Sequence, residues 1–233
     1  MPTFDDSYPA IEPALLQRYG RPALAIDPSL DAFGAAVAVI LGRTFEAKKV
    51  AKGIDALAEA GLLEAGAWVE SDPLEIVDVL KGAGVSATVK VVGPIRRLAG
   101  WLMSRQENSP DPLRDESLAT SVLREELYGL SGIGPATADA ILLWAGHRPV
   151  YPVDRPSYRI LVRHGWLDPT AEYDEARSVL ERAGREDVGA LTDLAGWFEQ
   201  LGRDYCKASV AKCARCPLQP FLPEGGPLEP DAF

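Results

Sequence analysis

Three groups of residues have types and spacings that can do chemistry. The first is Leu130–Trp144, LSGIGPATADAILLW, which reads as the end of a helix, a Gly-x-Gly turn and a second helix. Pro135 suits the first position of a helix, where a missing N–H costs nothing. Ala138, Ile141, Leu142 and Ala145 follow at i, i+3, i+4 and i+7, which gives that helix one buried face. A glycine turn that opens a helix points bare N–H groups outward and suits a phosphate. Gly132, Ile133 and Gly134 would supply the donors, with Ala136 and Thr137 at the helix start. Such a grip reads no base. The alternative is a plain tight turn between packed helices.

The second group is YPVDRPSYRI, Tyr151–Ile160, with one carboxylate at Asp154. Asp154 stands where an N-cap of a helix over 155–163 belongs. It is equally placed for chemistry beside a bound phosphate backbone, and the two roles are compatible. The third group is Cys206-x6-Cys213-x2-Cys216, which holds all three cysteines of the chain. An odd, clustered set is no disulfide framework. It reads as a metal or cluster site in a reducing compartment. The two histidines, His147 and His164, are remote in sequence, so no imidazole ligand is expected beside the thiols.

The elements that must position these groups read as helices nearly throughout. Helices are expected over 9–20, 28–42 (Asp27-Pro28 as cap and first position), 45–60 and 73–82, the last with Asp72 as cap and Glu75 completing a capping box. Val89, Val91 and Val92 favour a strand, and Gly93-Pro94 opposes a continuous helix, so the next helix is set to begin near Pro94. A polar loop over 107–115 follows, then helices over 116–129, 135–146, 155–165, 172–184 and 187–202. Two units are expected: 29–145 ending in the hairpin, and 1–28 plus 146–233 carrying Asp154 and the cysteines.

Composition bounds the function. The 233 residues suffice for one large or two small domains. A net charge of −10 opposes wholesale electrostatic attraction to nucleic acid, so any such contact needs a local basic face. Arg43, Lys48, Lys49 and Lys52 cluster, as do Lys90, Arg96, Arg97 and Arg105, and Arg155, Arg159 and Arg163. Each cluster reads equally as a solvated helix face. No apolar run approaches the roughly 18 residues that span a bilayer. The N-terminal residues lack a basic stretch followed by an apolar core, so a cytoplasmic protein without membrane contact is expected.

LSGIGPATADAIL resembles the helix-hairpin-helix of the endonuclease III-like DNA glycosylase superfamily, and PVDRPSYRIL resembles its Gly/Pro-rich loop and aspartate. AVAVILGRTFEAKKVAKGI and LKGAGVSATVK resemble earlier helical segments of the same family. The resemblance implies an all-α, two-lobed helical glycosylase fold with a C-terminal cysteine loop. It implies base-excision repair on double-stranded DNA by a monomer, with Asp154 as the catalytic carboxylate. Breaking an N-glycosidic bond builds positive charge on the sugar, which a carboxylate can stabilise.

Two departures qualify what the resemblance implies. Bifunctional relatives carry a lysine nucleophile in the hairpin's second helix, and that position is Ala136, eighteen residues before Asp154. A monofunctional glycosylase is expected, or a catalytically weak or inactive DNA-structure-binding protein on the same scaffold. The Gln-rich stretch that fills the gap left by an extruded base in relatives is Gly42-Arg43-Thr44-Phe45 here. Arg43 would then contact DNA, with Phe45 as a wedge. The catalytic glutamate of adenine glycosylases would fall near Ala38, which disfavours that activity. The cysteine spacing resembles the family's 4Fe–4S loop, but the fourth position is Leu222. A cluster on Cys206, Cys213 and Cys216, a zinc ion or no metal remain open, with Asp204, Glu224, Glu229 and Asp231 as candidate fourth ligands.

Overall fold

In the computed structural model, residues 2–23, 26–105, 109 and 111–228 are described, and among them lie eleven α-helices and no strand. They are α1 (Phe4–Tyr19), α2 (Ala32–Gly42), α3 (Ala47–Glu59), α4 (Ala65–Glu70), α5 (Pro73–Gly82), α6 (Val89–Arg105), α7 (Thr120–Gly129), α8 (Pro135–Trp144), α9 (Arg155–Arg163), α10 (Tyr173–Ala183) and α11 (Val188–Asp204). The chain divides into two compact units, Ala25–Arg148 and Met1–Leu24 with Pro149–Phe233.

In the unit 25–148, α2 is the hub. Every residue from Ala32 to Leu41 is buried, as expected of a helix that is apolar all round. It packs on α3, α6 and α8, while α4 and α5 cover α6 and α7 lies on α8. Asp31, not Asp27, caps α2: its Oδ1 accepts from Gly34 N–H at 2.6 Å, and Asp27 instead holds Ser29 N–H at 2.9 Å. Both aspartates precede the same apolar run, and only the buried run decides which turn joins the helix. The valine-rich stretch at 89–92 is helical, against the strand expectation, because Val92, Pro94, Ile95 and Leu98 form one buried face of α6. The short α4 has no sequence signature; it forms around Trp68, which is fully buried and donates Nε1–H to the Leu62 carbonyl.

Buried Arg148 organises the loop before α7. Its guanidinium donates to the carbonyls of Leu113, Leu118 and Asp115, which no helix or strand satisfies. That loop delays the start of α7 to Thr120, four residues later than the periodicity suggests.

In the other unit, α9 packs on α11, and α1 on α10 and α11. Asp187 caps α11 through Ala190 N–H at 2.6 Å. Beyond α11 the chain makes an isolated antiparallel bridge, Cys206 to Ala211, and two single 3-10 turns at Cys213–Arg215 and Gln219–Phe221.

Candidate active site and cysteine loop

The hairpin between α7 and α8 is built as a backbone cradle. Gly132 takes φ +89°, and a Cβ there would meet Pro94 Cγ at 2.7 Å. Only glycine fits, both for its left-handed backbone and for the close approach of α6. Arg97 of α6 donates Nε–H to the Ser131 carbonyl at 2.6 Å and backs the turn. Ile133 does not offer its N–H outward: it donates to Leu130 at 2.9 Å, and its side chain is buried as an anchor. Thr137 N–H is likewise spent on the Gly134 carbonyl at 2.9 Å. The N–H groups of Gly132, Gly134 and Ala136 have no hydrogen-bond acceptor among the described residues. The donor set is therefore two glycines and the backbone of Ala136.

Gly134 differs from Gly132 in what demands it. It is the N-cap of α8 with φ −85°, and a Cβ there would meet nothing within 4 Å. The fold does not require glycine at this position. A bare, exposed backbone suits a ligand that comes close. The two hairpin helices are fastened by Asp139 of α8, fully buried, and Arg124 of α7, whose Nε donates to Asp139 Oδ1 at 2.6 Å.

Arg43 caps the end of α2 and is exposed, Thr44 is exposed and Phe45 half-buried. Ala38 is buried in the middle of α2. Several arginines of the basic clusters hold the fold together. Arg96 donates to the carbonyls of Val69 and Ser71, and Arg105 pairs with Glu126. Those positions are framework, which sequence periodicity does not distinguish from a solvated face.

Asp154 is the N-cap of α9. Its Oδ1 accepts from Ser157 N–H at 2.8 Å, and Oδ2 has no hydrogen-bond partner among the described residues. The carboxylate is half-buried, so one oxygen fixes the side chain and the other is free for chemistry. The loop that carries it is pinned by α10: Glu181 accepts from Tyr151 N–H at 3.0 Å and the Tyr173 hydroxyl from Val153 N–H at 3.1 Å. Behind it, Tyr151 Oη and Ser157 Oγ, both buried, lie 2.8 Å apart. Burial, and then the nearby Asp154 charge, hold the Tyr151 hydroxyl well above its ordinary pKa, so it stays neutral. The sequence analysis did not single out Tyr151, Ser157, Tyr173 or Glu181. Tyr173, Arg177 and Glu181 at i, i+4 and i+8 do mark one face of α10.

The far end of α9 meets the cysteine loop. Cys206, Cys213 and Cys216 line one small, partly open cavity of about 10 Å³, together with Arg163, His164 and Leu222 among others. Arg163 Nη1 donates to Cys206 Sγ at 3.3 Å and to the Lys207 carbonyl at 2.8 Å, and Arg159 donates to the Cys206 carbonyl. His164 lies here too, against the expectation that no histidine is near. Its Nδ1 is 2.7 Å from the Ile160 carbonyl, its Nε2 3.3 Å from that of Leu218, and its ring stacks on Trp166 at 4.4 Å. Burial lowers its pKa. The Cys216 thiol is pushed up to about 11, first by burial. Asp204 and Glu224 are exposed and do not line the cavity. Glu229 and Asp231 lie outside the described residues.

A single ion needs its ligands to converge on one point at about 2.3 Å. Among the described residues no group of three or more His, Cys, Asp or Glu side chains does so. A cuboidal iron–sulfur cluster is held by four thiolates and brings four irons and four sulfides. Here three thiols border a cavity of about 10 Å³ and the fourth position is Leu222, so the residues present fit neither a zinc ion nor such a cluster.

No family model matches the chain. A protein of Methanocaldococcus jannaschii described as a DNA repair glycosylase is 25% identical over 194 residues, covering 83% of this chain and 86% of that protein. Endonuclease III of Bacillus subtilis is 31% identical over 105 residues, 44% of this chain and 46% of its own length. Among solved structures, endonuclease III in a non-covalent complex with DNA matches with a TM-score of 0.72 at 19% identity, over 97% of each chain. A thermostable thymine-DNA glycosylase matches with a TM-score of 0.68 at 15% identity, over 92% of this chain and 94% of that one. The chain is thus endonuclease III-like in fold along nearly its whole length, and it is similar in sequence to a DNA repair glycosylase over most of it.

Proposed function

We propose that this protein is a monofunctional DNA N-glycosylase that removes a damaged or mismatched base from double-stranded DNA as a monomer, with Asp154 as the catalytic carboxylate and water as the nucleophile. The observation that carries the reading is the state of Asp154: Oδ1 is held by the cap of α9 and Oδ2 is free. A carboxylate fixed in this way can stabilise the positive charge that develops on the sugar. The C1′–N bond breaks with its electron pair leaving on the base. Water then adds to C1′ and gives up a proton, and the departing base takes one up. Ala136 has no amine, so no Schiff base forms with the sugar and no strand cleavage follows by that route. The amides of Gly132, Gly134 and Ala136 grip one backbone phosphate without reading sequence. Arg43, exposed at the end of α2, contacts the DNA at the gap left by the extruded base.

The cysteine loop is structural, and its exposed Lys207, Lys212 and Arg215 face phosphate. A second reading, a DNA-structure-binding protein without catalysis, is favoured by the two departures at Ala136 and Leu222.

Single-turnover assays separate the readings. Wild type and Asp154→Asn are incubated with duplexes carrying uracil, thymine glycol, hypoxanthine, alkylated purines or a G·T mismatch. The proposal expects base release by wild type on at least one duplex, and binding without release by the variant. Binding by both with release by neither, across the whole panel, favours the second reading.

A further inference from the structure

Arg97 stands apart from the other arginines of α6. Arg96 spends its guanidinium on the carbonyls of Val69 and Ser71, and Arg105 is neutralised by Glu126. Arg97 is exposed and gives only Nε–H, to the Ser131 carbonyl at 2.6 Å. Its Nη groups have no acceptor, and it enters no ion pair, among the described residues. Two glycines set its place. A long side chain on a helix lies back over the preceding turn, and the residue four positions earlier is Gly93. Arg97 Nη2 lies 3.4 Å from where a Cβ of Gly93 would stand and 3.3 Å from where one of Gly132 would stand. The guanidinium is therefore held against Gly132, whose N–H is one of the free amides of the cradle.

We propose that Arg97 is a DNA-contacting residue whose guanidinium supplies a positive charge to the phosphate gripped by the hairpin amides. This rests on the phosphate grip proposed above. The amides of Gly132, Gly134 and Ala136 are neutral, and a chain of net charge −10 repels a phosphate backbone at long range. A guanidinium fixed at Nε by a backbone carbonyl keeps its other N–H groups for an anion and loses little freedom on binding it. Charge-assisted hydrogen bonds of this kind are about twice as strong as neutral ones. A cation that neutralises a phosphate also releases a counterion, which a neutral amide does not. The contact therefore has its own signature in the salt dependence of binding.

The full chain is titrated by fluorescence anisotropy with a duplex containing an abasic-site analogue, over a series of salt concentrations. Arg97→Gln should bind about 10-fold more weakly at low salt. The slope of log Kd against log salt should fall by about 0.9, so the gap to wild type closes about eightfold for each tenfold rise in salt. Gly93→Glu leaves the Ser131 hydrogen bond in place and sets a carboxylate four residues before Arg97, a pairing that favours the helix. It should lower the slope as Arg97→Gln does. An unchanged slope in Arg97→Gln, or in Gly93→Glu if that variant alone folds, overturns the proposal and leaves Arg97 as a brace of the hairpin. The grip fails separately: if Gly134→Ala binds like wild type, the amides hold no phosphate and the proposal falls with them.

Discussion

Gly132 and Gly134 stand two residues apart in one hairpin, and alanine should affect them in opposite ways. At Gly132 the backbone has φ +89°, which costs an L-residue about 1–2 kcal/mol. The added Cβ would also meet the rigid, buried Pro94 ring at 2.7 Å, and such overpacking costs about 1–3 kcal/mol. Gly132→Ala should therefore lose about 2–5 kcal/mol, a fall in Tm of roughly 4–20 °C for a chain of this size. At Gly134 φ is −85° and the space is open. Alanine caps a helix less well than glycine, by up to about 1 kcal/mol. Reduced freedom of the unfolded chain returns about 0.4–1 kcal/mol. Stability should stay within about 0.5 kcal/mol of wild type. The new methyl group, however, stands beside the free N–H groups of Gly134 and Ala136, where a phosphate oxygen must approach. Losing charge-assisted hydrogen bonds there costs about 1.5–3 kcal/mol, or roughly 10- to 150-fold in Kd. The amides carry no charge, so the slope of log Kd against log salt should not change. Thermal unfolding and fluorescence anisotropy with a duplex containing an abasic-site analogue measure both quantities. If Gly134→Ala binds like wild type, the hairpin is a structural turn and the phosphate grip is wrong. If it unfolds as early as Gly132→Ala, the division of labour between the two glycines is wrong.

Three further outcomes are expected. Ala136→Lys restores an amine to the hairpin helix, and borohydride should then trap it covalently on duplex carrying an abasic site, whereas wild type should give no adduct; an adduct with wild type would show that some other amine attacks. Arg124→Ala removes one partner, seen at 2.6 Å, from the fully buried Asp139 carboxylate, and urea unfolding should report a loss of about 1.5–3 kcal/mol; a change under 1 kcal/mol would mean that the pair does not fasten α7 to α8. At Gly202 of α11 a Cβ would lie 2.5 Å from Pro156 Cβ, in the first turn of α9 behind Asp154. Gly202→Ala should cost about 1–3 kcal/mol and reduce base release at saturating DNA more than it weakens binding, and the reverse ranking would sink the claim that α11 positions Asp154.

Much of the site could be read along the chain because its signals are local. A glycine turn followed by proline opens α8, and an aspartate before Arg-Pro caps α9, since both depend on backbone geometry over four or five residues. Cysteine spacing announced the loop after α11 for the same reason. Other features were out of reach. Asp27-Pro28 and Asp31 are equally good caps in isolation, and the burial of Ala32–Leu41 selects the second. Val89–Val92 reads as strand until the burial of Val92, Pro94, Ile95 and Leu98 on one face selects the helix.

By itself the sequence determined the helical class, the hairpin, the capping aspartate and the absence of a lysine at Ala136 and of a fourth cysteine at Leu222. These are properties of residue identity and short-range spacing, which no distant contact alters. Tertiary structure alone decided which amides of the hairpin remain free, because Ile133 and Thr137 spend theirs within the turn. It alone pinned the Asp154 loop with Tyr173 and Glu181, about twenty to thirty residues away in sequence. It also brought His164 to the cysteines, which it precedes by more than forty residues. Hydrogen bonds and close packing join groups by position in space, and a linear pattern carries that information only where the chain has not yet turned.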